Sequence, residues 1–580
     1  MHAFQEAYGK LNADQKQAVD TLDGPVLVIA GPGTGKTQLL SARVANILQK
    51  TDTPPGNILC LTFTESGAVN MRDRLTRFIG QAAYEVTIGT YHAFGGDLIK
   101  RYPEYFGALR LETPIDDLTK RQVISAIVDS MPYDNPLKQS RHHLGDLMSS
   151  LSEVKRALLT PDRLRAIAHE NLSFIAQGSE QLQDTLQGFK AMPGYKKASP
   201  LFEQVLGRLE PLVPRQSGAE PFGALAQVAV QDLRSALSDA AALEKTTPLT
   251  VWKNRWLAKD ADNHFVIAGE LENRRLEALA RTLEQYQAAL AERGLYDFDD
   301  MILRAIEMLE QNPDLQYTLQ ERYLYILLDE FQDTNAAQLR LIQLLTDNPI
   351  NEGRPNILAV GDDDQAIYAF QGAQYSNMLD FARMYQEVQV INLVENYRSH
   401  ADILATAHNI AEQVEGRLTQ HFPNMTKRLV AANPSLPPAH IDRVSFPSPI
   451  AERAWVAEQI SRLIEQGTAP SEIAVLAPKH KYLESLVPYL NNKGVAVRYE
   501  KRENILEAPV VKQLATMSRL VLALAAGEDR LADALWAEVL SYDFWHIPID
   551  VVWRTAWKVN DGKKDSLSWS KVLLETPELR

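Results

Sequence analysis

The chemistry in this 580-residue chain concentrates first at GPGTGKT, residues 31–37, which follows the apolar run PVLVIA. A strand, a glycine-rich turn and a helix in that order present backbone amides to phosphate groups, with Lys36 reaching the β/γ-phosphates and the Thr37 hydroxyl facing Mg²⁺. A second apolar run ends in Asp329 and Glu330, within YILLDEFQD. There Asp329 is expected to hold the Mg²⁺ hydration shell, and Glu330 to orient or deprotonate the attacking water. A third run leads into GDDDQAIYAFQGA, whose Gln365 is placed to sense a γ-phosphate, and VENYRS puts Arg398 just after a fourth. An arginine from a neighbouring lobe is what phosphoryl transfer uses to neutralise transition-state charge.

These groups need a scaffold that delivers strand ends to one edge. Short apolar runs at 25–30, 57–63, 86–89, 325–330, 356–362 and 388–393 predict a doubly wound parallel sheet, with ligands at its carboxyl edge. Leu40, Val44, Ile47 and Leu48 mark the apolar face of the helix after the glycine turn. Between about 107 and 290 helical periodicity replaces the strand-like runs, which predicts a mostly helical insertion. After Val394 a second unit is expected, with helix at 401–414 and strand candidates at 472–478 and 495–500. From about 503 the pattern is helical, and Trp536, Trp545, Trp553, Trp557 and Trp569 are expected in core and interdomain packing.

Composition bounds the alternatives. Apolar residues make up 45% and charged residues 23%, as in globular proteins, and a net charge of −14 argues against a generally basic nucleic-acid coat. A local basic groove stays compatible with that total. Cys60 is the only cysteine, so cysteine-based zinc or iron–sulfur sites have no ligand set. The first residues carry no apolar signal region, and no stretch approaches the roughly 18 consecutive apolar residues of a membrane span. The expected setting is cytoplasmic, with no membrane partner.

In order along the chain, LNADQKQAV, AGPGTGKT, LTFTESGAVNMRDRL, GTYHAF, YDFDDMI, LLDEFQDTN, VGDDDQAIYAFQGA and VENYRS resemble the motifs of UvrD/Rep/PcrA-type superfamily 1 DNA helicases. The resemblance is strong over about 10–110 and 285–400 and weaker elsewhere. It implies a RecA-like domain 1A at 1–106 and 291–394 and a helical subdomain 1B at 107–290. It also implies a partial second RecA-like domain, 2A, at 395–502, and a partial helical 2B-like segment at 503–580. ATP with Mg²⁺ would lie between 1A and 2A, held by Ala30, Gly31, Pro32, Gly33, Thr34, Gly35, Lys36 and Thr37, with Gln15 recognising adenine. Phe63, Thr64, Tyr91, His92, Tyr368 and Phe370 would contact DNA, where stacking on an aromatic ring is indifferent to base sequence. The implied activity is ATP-dependent 3′ to 5′ translocation on single-stranded DNA and unwinding of partial duplex, in repair or recombination, with protein partners unspecified.

The sequence departs from the family pattern in places. Glu65 and Ser66 replace an amide and a cation, and Phe370-Gln371 replaces a Trp-Arg pair. Each cation withdrawn from the phosphates of a single strand lowers the log–log salt slope by about 0.7. Two later family motifs, one of them carrying a second catalytic arginine, do not occur in these 580 residues. The expectation is an amino-terminal portion of a longer protein. Two alternatives accompany it: the helicase part of a helicase–nuclease, and a nucleotide-binding DNA-binding module without turnover.

Overall fold

In a computed structural model, which describes residues 2–106, 113–138, 144–186, 189, 191–214, 224–367, 376–414, 417–420, 425–498, 508–559 and 568–575, the apolar runs pair into one parallel sheet. Its strands are β1 (Val26–Ala30), β2 (Ile58–Thr62), β3 (Thr87–Thr90), β4 (Tyr325–Leu328), β5 (Ile357–Gly361) and β6 (Gln389–Leu393). They lie side by side in the order β6-β1-β5-β4-β2-β3. Every pairing is parallel, so all carboxyl ends emerge on one edge. Strands β1, β2, β4 and β5 are buried along their whole length because helices cover both faces.

Alternation along the strands divides the core into two layers. Leu27, Ile29, Leu59, Leu61, Ile326 and Leu328 pack toward helices α3 (Tyr91–Arg101), α4 (Asp300–Gln311) and α5 (Ala336–Thr346). Val26, Val28, Ala30, Cys60 and Leu327 pack on the other side, with α1 (Lys36–Lys50) and α2 (Glu65–Ile79). Both α2 and α3 start at a threonine whose hydroxyl accepts a hydrogen bond from the first turn, Thr64 from the Gly67 amide and Thr90 from the Ala93 amide. These two caps begin each helix directly at a strand end.

The region between β3 and β4 is helical, with helices Asp117–Ser130, Leu144–Arg156, Pro161–Thr185, Tyr195–Leu209, Leu225–Leu243, Thr247–Trp256 and Glu270–Ala291 around two cores of their own. Its entry and exit meet in a short parallel pair, Thr113–Pro114 with Leu295–Tyr296. Beside that pair, Lys155 bonds Asp297 at 2.9 Å and Asp300 at 2.8 Å, Lys120 lies 3.3 Å from Asp297, and Arg156 bonds Asp299 at 2.8 Å. Burial opposes charge on Lys155, yet the two carboxylates beside it raise its pKa above the ordinary lysine value.

The chain divides into two compact units, Met1–Ile441 and Asp442–Arg580. Residues 395–441 therefore group with the sheet, and β7 (Glu395–Asn396) pairs in parallel with β8 (Val430–Ala431) there. The second unit is built from helices such as Pro449–Glu465, Pro509–Ala526, Asp529–Leu540 and Ile549–Val559. The strand candidates at 472–478 and 495–500 are not strands among the described residues of this unit. Apolar runs become strands only where a neighbour completes the ladder, and here Leu476 is 94% exposed. Trp569 is buried as expected, whereas Trp545, Trp553 and Trp557 are exposed within this unit, Trp557 at 77%. Helix Pro509–Ala526 is long and apolar enough to cross a membrane by length and composition, with mean hydropathy 1.2. Lys512 and Arg519 interrupt its apolar surface.

Packing of α3 on α4 is close at Gly95, where an added Cβ would lie 2.8 Å from the Met301 carbonyl oxygen. Backbone cannot yield as a side chain can, so Gly95→Ala is expected to destabilise the protein by about 1–3 kcal/mol in thermal unfolding. Gly96→Ala, whose Cβ would meet only the Met301 sulfur at 3.9 Å, serves as the near-neutral comparison.

Candidate nucleotide site and the strand edge beside it

The turn after β1 takes its shape from glycine. Gly33 and Gly35 sit at φ +74° and +88°, which L side chains rarely adopt, and Gly35 caps α1 so that the helix amino end opens into the loop. Thr34 donates to the Gly31 carbonyl at 2.8 Å, and the Gln15 amide donates to the Thr34 carbonyl at 2.8 Å. Gln15 is buried, and its side-chain oxygen also accepts the Asn12 amide at 3.0 Å. In this structure Gln15 braces the loop from beneath.

Lys36 points across the edge to β4 and bonds the Glu330 carboxylate at 2.9 Å. Glu330 has left-handed backbone, φ +49°, an uncommon conformation for a non-glycine residue and a strain that concentrates at functional positions. Burial favours its neutral form, but the Lys36 charge and the Gln332 amide outweigh this and hold its pKa below the ordinary glutamate value. Asp329 behaves oppositely: burial, then the adjacent Glu330 charge, pushes its pKa up to about 6. Its carboxylate accepts the Glu330 amide at 3.0 Å. A buried carboxylate that is costly to ionise, together with the Thr37 hydroxyl in the first turn of α1, supplies hard oxygen donors of the kind Mg²⁺ takes.

The loop after β5 joins this group through Gln332, a buried residue to which the sequence pattern assigned no role. Its amide nitrogen donates to Glu330 at 2.9 Å, and its oxygen accepts the Asp362 amide at 3.0 Å. Asp362 in turn accepts the Gln365 side-chain amide at 2.7 Å and Lys427 at 3.0 Å. Lys427 also bonds Asp363, and Arg417 holds Asp364 through two bonds of 2.9 and 2.6 Å. Neither cation carried a local signal, because each lies more than fifty positions from its partners in sequence. Arg398 comes to the same place by its backbone. Asn396 donates to the Pro32 carbonyl, the Tyr397 amide donates to Gly33 at 3.0 Å, and the Arg398 Cβ lies 2.8 Å from where a Gly33 Cβ would stand. A cavity of about 500 Å³ lies among Gly31, Pro32, Gln365, His408, Lys427 and Leu429.

The residues expected to touch DNA occupy the β2 and β3 end of the same edge. Thr64 is exposed and Phe63 half-buried. Glu65, where the family pattern has an amide, accepts the Thr90 hydroxyl at 2.8 Å and so links the ends of β2 and β3. His92 stacks on Phe298 with ring centres 3.9 Å apart, and Phe298, which lies in the YDFDDMI motif without an assigned role, is 55% exposed. Tyr91 requires a correction. It is 1% exposed within the layer containing Leu61 and Phe94, and its hydroxyl has no hydrogen-bond partner among the described residues, so its ring is core and not a stacking platform. The first turn of α3 aims it under the sheet. Tyr368 and Phe370 lie outside the described residues.

A glycine-rich P-loop sequence after β1, a carboxylate pair after β4 and a glutamine after β5 share one edge of a parallel sheet, in a mixed α/β fold of the RecA-like kind. Residues 11–386 match the UvrD/REP helicase N-terminal domain and residues 391–523 match the UvrD-like helicase C-terminal domain. The chain belongs to the UvrD/REP helicase family. It is similar to the ATP-dependent DNA helicase PcrA of Staphylococcus epidermidis, 25% identical over 504 residues that cover 85% of this chain and 52% of the relative. Similarity to the ATP-dependent DNA helicase PcrA of Staphylococcus aureus runs at 26% identity over 400 residues, 69% of this chain and 40% of the relative. The chain thus spans about half the length of the curated relatives it matches.

Two outcomes follow from these environments. Removing Lys427 leaves Asp362 and Asp363 buried without their cation, so Lys427→Ala is expected to destabilise by roughly 3–5 kcal/mol in urea unfolding, and Lys427→Arg by less. Burial lowers the pKa of His92 to about 4, with Asp299 and Arg156 exerting opposing smaller effects. The unfolded chain therefore takes up a proton at pH near 6.5, before the folded one does, and stability contributed by neutral His92 drains away as pH falls from there toward 4. On going from pH 7 to pH 5, the Tm of wild type should drop relative to that of His92→Phe, by the equivalent of on the order of 1 kcal/mol.

Proposed function

We propose that this chain is the ATP- and DNA-binding portion of an ATP-dependent DNA helicase that moves 3′ to 5′ along single-stranded DNA and separates partial duplex in repair or recombination. The observation that carries the reading is the shared edge. The Lys36–Glu330 pair and the Gln365 loop gather around the ends of β1, β5 and β4, while Thr64, His92 and the exposed Phe298 ring stand at the β2 and β3 side. A change at the phosphate group can reach the track through one rigid sheet. The direction of movement rests on the family resemblance, as does the cellular role. The two PcrA relatives are named as ATP-dependent DNA helicases, in keeping with this reading.

In this proposal ATP phosphates lie against the amides of 31–37, and Lys36 leaves Glu330 for the β/γ-phosphates. That exchange frees the Glu330 carboxylate to orient water. Thr37 and Asp329 would hold Mg²⁺, which when bound neutralises charge on the phosphate oxygens. Gln365 meets the γ-phosphate and Arg398, held over Gly33, offsets charge as the bond breaks. Opening duplex costs about 1.4 kcal/mol per base-pair step, so movement must be tied to hydrolysis.

The test is ATP turnover by the 580-residue chain with and without single-stranded DNA. Stimulated turnover is expected to fall roughly 100-fold or more in Lys36→Ala and by about 10³ in Arg398→Ala, with nucleotide-free DNA binding held within about threefold. Turnover indifferent to DNA in the wild-type chain would overturn the reading.

A further inference from the structure

Within the site just described, one buried amide joins two elements that the phosphate chemistry uses separately. Gln332 lies two residues beyond Glu330, in the short 3₁₀ turn Phe331–Asp333, and is 1% exposed. Its nitrogen reaches the carboxylate of Glu330 at 2.9 Å, and its oxygen takes the Asp362 amide at 3.0 Å. A carboxamide meets both demands at once from two separate atoms, its nitrogen donating to a carboxylate while its oxygen accepts an N–H. The packing is specific as well. A Cβ on Gly361, the last residue of β5, would fall 2.7 Å from the Gln332 oxygen and 3.2 Å from its backbone nitrogen, so the strand end is shaped around this side chain. Beyond Asp362 the connection divides, to the Gln365 amide at 2.7 Å and to Lys427 at 3.0 Å. The same Glu330 oxygen that accepts Gln332 is the one paired with Lys36.

We propose that Gln332 is a positioning residue that couples the place of Glu330 to the place of the Gln365 loop, so that release of Glu330 by Lys36 and engagement of Gln365 occur as one event. The inference rests on the nucleotide reading above and adds to it a residue outside direct contact with the phosphates. When Lys36 turns to a phosphate, Glu330 loses one of two donors, and Gln332 becomes the group that fixes where its carboxylate points. A displacement of Glu330 is passed through the rigid amide to the Asp362 backbone, at the start of the Gln365 turn. Lys427 and Arg417 hold the far side of that loop, which leaves the Gln332 side as the one that responds.

Hydrogen exchange with adenylyl imidodiphosphate and Mg²⁺ as the probe tests this without turnover, alongside DNA-stimulated ATPase. In wild type the analogue is expected to slow exchange over both 31–37 and 361–367. In Gln332→Met, of similar length but with neither donor nor acceptor, the analogue should bind within about threefold and still protect 31–37, while the response over 361–367 disappears. Stimulated kcat should fall roughly 10- to 100-fold with the KM for ATP within about threefold. Gln332→Glu keeps the acceptor for the Asp362 amide and loses the donor to Glu330. It should retain near-wild-type exchange at 361–367 without ligand yet show the same kcat loss. Gln332→Met combined with Gln365→Ala should lose little more than the larger single effect, because both act on one step.

A Gln332→Met chain that binds the analogue and keeps the 361–367 response overturns the inference alone. So does one in which kcat and KM change in step with a lowered Tm. Wild-type chain that takes up no analogue overturns the nucleotide reading and the inference together.

Discussion

The Lys36–Glu330 pair is the contact on which the candidate site turns. Lys36 stands at the start of α1 and Glu330 at the end of β4, with β5 between their strands in the sheet. Joining them requires parallel strands in the observed order, a glycine turn that brings the helix start to the edge, and a left-handed residue at 330 that turns its carboxylate back. Each requirement is met by a different part of the chain. A cation and an anion held at 2.9 Å in a partly buried setting, with one cationic partner committed to the other, form a resting pair that a phosphate can compete for.

Two carboxylates side by side are driven apart in behaviour by what surrounds them. Asp329 is buried, feels the negative charge of its neighbour and becomes costly to ionise, while Glu330 has Lys36 and Gln332 to keep it charged. Environments of this kind separate the protonation behaviour of adjacent titrating groups. Here the distinction is made by one lysine and one amide. Around them the ionic cluster of Asp362, Asp363 and Asp364 with Lys427 and Arg417 ties the segment after β6 to the loop after β5. Local rigidity at one end of the site thus comes from charge and at the other from amide hydrogen bonds.

What could be read in the sequence was what depends on neighbours along the chain. The sheet strands were legible because both faces of the parallel sheet are buried, which makes their runs uniformly apolar, and the glycine turn because Gly33 and Gly35 occupy backbone space other residues avoid. Lys427 was invisible: its carboxylate partners lie more than sixty positions away. Gln332 stood in view within DEFQD but had no meaning until the Asp362 amide was seen beside it. Tyr91 misled because a helix start beside a strand end serves both a surface and a core, and only the turn of the backbone decides which. In the 472–478 run, apolar character alone could not substitute for a pairing neighbour.

The stem of the helical insertion has a wider consequence. Its two ends meet where the Thr113 amide bonds the Gly294 carbonyl at 3.1 Å and the Ile115 amide bonds Tyr296 at 2.8 Å, so the whole lobe leaves and rejoins the sheet domain at almost one point. A lobe attached in this way can differ in length or architecture without altering the strand order of the sheet, and Lys155 and Arg156 tie the present one to Asp297 and Asp299 at its base. Those two aspartates are the charged part of the attachment, and a lobe without cations opposite them would leave buried carboxylates uncompensated.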